Sequence, residues 1–87
     1  MKIAICDDLV EERIKIIAYL QKYVDIRGYF ITIDEYENGE ELLASNVNKY
    51  NLIILDIFMN ELNGIEVARE IMTRSNHTPV IFCSTSN

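Results

Sequence analysis

Four short apolar runs, separated by stretches of helical periodicity, constrain this chain more than any single motif does. KIAIC (residues 2–6), FITIDEY (30–36), LIIL (52–55) and VIFCS (80–84) each have the length and composition of a strand. Between the first two lie residues 9–27, where Val10, Ile14, Ile17, Leu20 and Val24 recur at steps of three and four, predicting one buried face of a helix. Gly28 stands where a left-handed C-terminal cap belongs. Asn38 with Glu41 forms a capping-box pair opening a second helix, with Leu42 and Leu43 behind it. Asn63 with Glu66 opens a third, whose inner face is expected to be Ile65, Ala68 and Ile71 or Met72; Pro79 then restarts the chain. FITIDEY alternates apolar and polar residues, as a half-exposed edge strand does, while the other three runs are apolar throughout.

The order is therefore β-α-β-α-β-α-β in one domain, residues 1–87, with no repeat or linker. Strands separated by helices run parallel with right-handed crossovers, and continuously apolar strands need cover on both faces. This is the doubly wound parallel α/β class, expected here in the strand order 2-1-3-4. Such folds bind ligands beyond the carboxyl ends of the strands, where the strand order reverses.

The acids converge on that rim. Asp7 and Asp8 follow the first run, Asp56 follows the third, and Ser84 ends the fourth. At a separation of ~6 Å and an effective dielectric near 20, each carboxylate pair repels by roughly 3 kcal/mol. A hard divalent cation with oxygen ligands and water, such as Mg²⁺, is the simplest counterion. Taken alone, each acid also reads as a solvated strand end, and Asp8 as the cap of the first helix. The coincidence of all three with a hydroxyl favours the site.

Composition narrows the function by exclusion. A net charge of −6 argues against direct binding of nucleic acid or an anionic membrane by this segment. No apolar run approaches the roughly 18 residues of a membrane span, and no signal-peptide pattern opens the chain, so a cytoplasmic location is expected. Cys6 and Cys83 fit no zinc spacing. Two inter-strand steps would separate them by about 9–10 Å, so free thiols are expected rather than a disulfide. His77 precedes Pro79 in a turn and reads as solvated; the five tyrosines read as amphipathic packing.

At these residues the chain resembles the receiver domain of two-component response regulators. IAICDD resembles that family's first strand and acidic pair, LIILDIFMNELNGIEVAREI its phosphoacceptor strand, loop and third helix, and PVIFCST its fourth strand with a switch hydroxyl. The opening MKIAICDD is also similar to regulators that carry a LytTR-type DNA-binding domain. The resemblance implies that Asp56 accepts a phosphoryl group from a sensor histidine kinase, with Mg²⁺ (or Mn²⁺) required. Asp8 would hold the metal directly, Asp7 mainly through water, and Asp56 and the backbone carbonyl of Phe58 would complete the protein ligands. Ser84 would be the switch hydroxyl, and Phe58 and Ser86 would tune loss of the phosphate. The implied role is regulatory rather than enzymatic, controlling an output domain, expected to bind DNA, outside this chain.

Departures from the family pattern are visible too. Asn60 follows Met59 where proline is usual. The sequence ends at Asn87, before the fourth helix, fifth strand and fifth helix that the resemblance implies, so the chain is expected to be a fragment of a longer regulator. The lysine carried by that fifth strand has no counterpart here, since Lys2, Lys15, Lys22 and Lys49 all lie away from strand carboxyl ends. A pseudo-receiver that takes no phosphate is the alternative reading. A phosphatase with an aspartyl nucleophile is a remote one, because Phe58 stands where it wants a second acid. Finally, VIFC is composed as an interior strand yet would lie at a sheet edge, so self-association through that edge is expected.

Overall fold

In the computed structural model, residues 1–59, 62–75 and 77–83 are described. The chain runs through β1 (Lys2–Cys6), α1 (Val10–Arg27), β2 (Thr32–Tyr36), α2 (Gly39–Ala44), a 3-10 turn (Val47–Lys49), β3 (Leu52–Asp56), α3 (Gly64–Arg74) and β4 (Val80–Cys83). All strand pairs are parallel, in the order β2-β1-β3-β4. The expected doubly wound sheet is therefore present. The chain moves one way from β1 to β2 and the opposite way from β2 to β3 and on to β4. Crossovers of one hand then place α1 on one face and α2 with α3 on the other. Packing follows this division: Ile16, Ile17 and Leu20 of α1 lie against Ile3, Ile5 and Ile54, while Leu42, Val67, Ala68 and Ile71 of α2 and α3 lie against Ala4, Cys6, Ile53 and Leu55.

Local signals set most boundaries. Gly28 ends α1 at φ 73°, and its amide donates to the Val24 carbonyl at 2.7 Å. Asn38 Oδ1 accepts from the Glu41 amide at 2.8 Å and Asn63 Oδ1 from the Glu66 amide at 3.0 Å, satisfying first-turn donors of α2 and α3.

Three details differ from expectation. First, β2 begins at Thr32, and Phe30 is 92% exposed. Pairing with β1 starts where the Thr32 amide meets the Met1 carbonyl, so residues before Thr32 have no ladder to join. Second, the buried stripe of α3 is Gly64, Val67, Ala68 and Ile71, with Ile65 and Met72 exposed. Contact with α2 turns the helix this way: a Cβ on Gly39 would overlap the Val67 side chain. Third, Val10 and Ile14 of α1 are exposed. Arg13 reaches Glu35 on β2, and Ile14 next to it is turned about 100° round the helix from that contact. As expected, β4 is an edge among the described residues, with Ile81 53% and Phe82 41% exposed. Cys6 and Cys83 are free thiols, as expected.

Candidate functional site

Register brings the acids together. Cys6 pairs with Leu55 across β1 and β3, so Asp7 and Asp56, the next residue on each strand, emerge side by side. Neighbouring strands lie about 4.8 Å apart. One carboxylate oxygen from each of Asp7, Asp8 and Asp56 lies within 4.8 Å of the other two. Asp7 and Asp56 are buried and Asp8 half-buried.

Both buried acids are fixed in the same way. Asp7 Oδ1 accepts from the Leu9 amide at 3.0 Å, and Asp56 Oδ1 from the Phe58 amide at 3.2 Å, each an Asx turn at a strand end. The Asp7 amide also donates to the Tyr36 carbonyl at 3.0 Å. Asp7 Oδ2 is buried with no hydrogen-bond partner among the described residues. An unsatisfied buried carboxylate oxygen is costly, and a cation is the natural partner for it. Burial pushes the Asp7 carboxyl up from 3.8 to about 6; the Leu9 amide opposes this, and the charges of Asp56 and Asp8 add to it. Three hard oxygen donors around one point, one of them an orphan, fit a divalent cation of the Mg²⁺ type.

The loop after Asp56 is tied down by its backbone. The Ile57 amide donates to the Cys83 carbonyl at 3.3 Å, and the Gly64 amide to the Ile57 carbonyl at 2.9 Å. Gly64 lies directly against the Asp56 carbonyl, and a Cβ there would come within 2.8 Å of Ile57 Cα. That close approach is the physical reason for a glycine eight residues after the acid. Beneath the rim, the Cys6 thiol contacts Met59 Sδ at 3.7 Å, and burial followed by the negative charges of Asp7 and Asp56 pushes this thiol up to about 12. A cavity of about 300 Å³ opens beside Asp8, walled also by Glu37, Glu40, Met59 and Leu62.

Of the residues singled out in the sequence, Asp7, Asp8 and Asp56 meet at one point. Phe58 flanks them, with its amide on Asp56 and its side chain 66% exposed. Ser84 and Ser86 lie outside the described residues. Lys2 starts β1, Lys15 and Lys22 lie on α1, and Lys49 ends the 3-10 turn. Arg13, which the sequence reading passed over, does reach the rim: its Nη1 donates to the Asp7 carbonyl at 2.7 Å and its Nε pairs with Glu35 Oε1 at 3.0 Å. Its only signal was a cation one position from the apolar stripe of α1.

Comparison with known proteins gives a consistent picture. Residues 5–87 match the family described as the response regulator receiver domain. The transcriptional regulatory protein ResD of Bacillus subtilis (strain 168) is 41% identical over 81 residues, which is 92% of this chain and 31% of ResD. The uncharacterized transcriptional regulatory protein YkoG of the same organism is 36% identical over 73 residues, 84% of this chain and 32% of YkoG. The chain thus spans about a third of the length of these curated relatives. Among solved structures, the response regulator protein TrrA from Thermotoga maritima, in complex with Mg²⁺-BeF, aligns with a TM-score of 0.83 at 32% identity, over 99% of this chain and 70% of TrrA.

Proposed function

The chain belongs to the response regulator receiver domain family, and from that premise we propose that it is a phosphoacceptor switch, phosphorylated on Asp56 in a divalent-cation-dependent reaction. The observation that supports this reading best is the three-carboxylate rim, with its atoms within 4.8 Å and Asp7 Oδ2 buried without a hydrogen-bond partner among the described residues. Asp8 would hold the cation directly, Asp7 mainly through water, and Asp56 and the Phe58 carbonyl would complete the protein ligands. When bound, Mg²⁺, or Mn²⁺ in its place, would neutralise charge on the transferred phosphoryl oxygens.

The chain's own residues do the rest. An Asp56 carboxylate oxygen attacks phosphorus, forming an aspartyl phosphate. The bond between phosphorus and the donor histidine nitrogen breaks, and that nitrogen keeps the electron pair and takes a proton from solvent. The Phe58 amide on Asp56 Oδ1 sets the rotation of the nucleophile before attack. Burial of Asp56 keeps bulk water from the acyl phosphate. Ser84, after β4, turns toward the new dianionic group, and a donor gained there is what makes phosphorylation a switch. Phe58 and Ser86 set how long the phosphate lasts.

The chain acts in the cytoplasm, a sensor histidine kinase is the donor, and a DNA-binding output domain is the target of control. A second copy of the chain is a further partner: β4, which carries exposed Ile81 and Phe82, is an edge among the described residues and offers its outer backbone groups for pairing. Light scattering of the 87-residue chain over a concentration series should show mass rising above the monomer; a monomer at high micromolar concentration rejects that contact.

The central test is covalent. Phosphoramidate plus Mg²⁺, applied to the protein that carries this domain, should add one base-labile phosphoryl group, read by intact mass. Asp56→Asn should stay unmodified. Equal modification of both proteins would mean that another residue is the acceptor.

A further inference from the structure

We infer that Arg13 is a positioning residue for the cation site, holding the turn that carries Asp7 and Asp8 in the shape the cation requires. This rests on the proposed function, since it concerns the same rim. The Arg13 side chain is only 13% exposed, and a guanidinium that far out of water needs acceptors for its donors. Among the described residues it has two, in different parts of the fold. Nη1 donates to the Asp7 carbonyl at 2.7 Å, and Nε donates to Glu35 Oε1 at 3.0 Å. One side chain of α1 therefore ties the turn after β1 to the edge strand β2.

The consequence falls on Asp7. Its amide is held by the Tyr36 carbonyl, its carbonyl by Arg13, and its Oδ1 by the Leu9 amide. With those three groups fixed, the direction of the remaining oxygen, Oδ2, is fixed as well. The same turn sets the start of α1 and so the approach of Asp8.

Arg13 acts here by geometry rather than by charge. Paired with Glu35 at 3.0 Å, it forms a locally neutral unit, which neither attracts nor repels a cation strongly. The planar fork of a guanidinium serves two acceptors at a fixed angle, whereas an ammonium on a flexible stem does not. Lysine at this position therefore keeps the charge and loses the brace.

Isothermal titration with Mg²⁺ and with Mn²⁺ tests this in the protein that carries the domain, comparing wild type, Arg13→Lys, Arg13→Gln and the double variant Arg13→Gln with Glu35→Gln. Melting curves establish which variants fold. Loss of a group that orients a ligand from behind typically weakens metal binding by roughly tenfold or more. We expect about that loss in all three variants. At saturating Mg²⁺ the rate of modification by phosphoramidate should stay near wild type, so that the cation requirement rises while the maximal rate does not. Wild-type affinity in Arg13→Lys overturns the inference, as does wild-type affinity in the double variant, which removes both charges together and leaves the charge balance of the pair unchanged. A fall in maximal rate at unchanged affinity also overturns it. If no Arg13 variant folds, Glu35→Asp decides, because its side chain is 44% exposed and the shorter carboxylate keeps the charge while freeing one end of the brace. Weakened binding there supports the inference and unchanged binding overturns it. Absence of cation binding in wild type itself would instead remove the proposed function, and the inference with it.

Discussion

The two faces of the sheet are built from the same strands, yet they are packed very differently. Against α2 and α3 the chain buries Ala4, Cys6, Ile53 and Leu55 together with Leu42, Val47, Tyr50, Val67, Ala68 and Ile71. On the other face the buried apolar residues, among those described, are Ile3, Ile5 and Ile54, under an α1 helix with no buried residue of its own. Side chains alternate along a strand, so Asp7 follows Ile5 and Asp56 follows Ile54 onto the thin face. Stability and chemistry are thus divided. The thick face anchors the sheet, and the thin one carries the acids, where opening costs least.

The largest effects should fall on the thick face. Leu55→Ala removes a fully buried side chain from the core beneath α2 and α3, and we expect about 4 kcal/mol of lost stability in urea titration. A cost no greater than that of Ile17→Ala on the thin face would break the comparison.

Next in size is the acid strain at the rim. Asp7 has its folded-state pKa raised to about 6, so its contribution favours folding below the unfolded value of 3.8 and is lost as pH rises through 6. Two units correspond to at most about 3 kcal/mol. In metal-free buffer, Asp7→Asn should be more stable than wild type at pH 7, with the advantage shrinking by pH 4.5. A pH-independent difference would place the strain elsewhere.

Cation binding should offset that strain. At ten times its dissociation constant, Mg²⁺ should stabilise the wild type by about 1.4 kcal/mol at neutral pH. Asp8→Asn should lose most of this response in a thermal melt, and an equal rise in both proteins would separate Asp8 from the site. The smallest change should come from Ile17→Ala, at about 1 kcal/mol, because Ile17 is only partly buried on the thin face.

Those features of the fold that depend on neighbours in sequence were legible in advance. Apolar runs, the Asn38 and Asn63 caps and Gly28 gave the element order, and the order placed Asp7, Asp8 and Asp56 on one rim. What depends on distant contacts was not legible. The stripe of α3 is set by Gly39 of α2, which no local pattern encodes. Arg13 sits in a polar run, and its partners are the backbone of Asp7 and a glutamate 22 residues away. Tyr50 was read as ordinary packing. It is 3% exposed, donates its hydroxyl to Asp34 at 2.6 Å and meets the Tyr36 hydroxyl, closing a polar network at the β2 edge.

The Cys6–Leu55 register has a consequence for the lengths of segments this chain can accept. Each strand acts as a ruler that ends at its acid, so a one-residue deletion inside β3 would slip Asp56 by about 3.3 Å and turn its side chain to the opposite face. The same deletion or an insertion at Ser45 and Asn46, between α2 and the 3-10 turn, shifts no strand against another. Length variants placed along the whole chain should therefore survive in the connections remote from the rim and fail within β1 and β3, tracing the ruler without reference to any side chain.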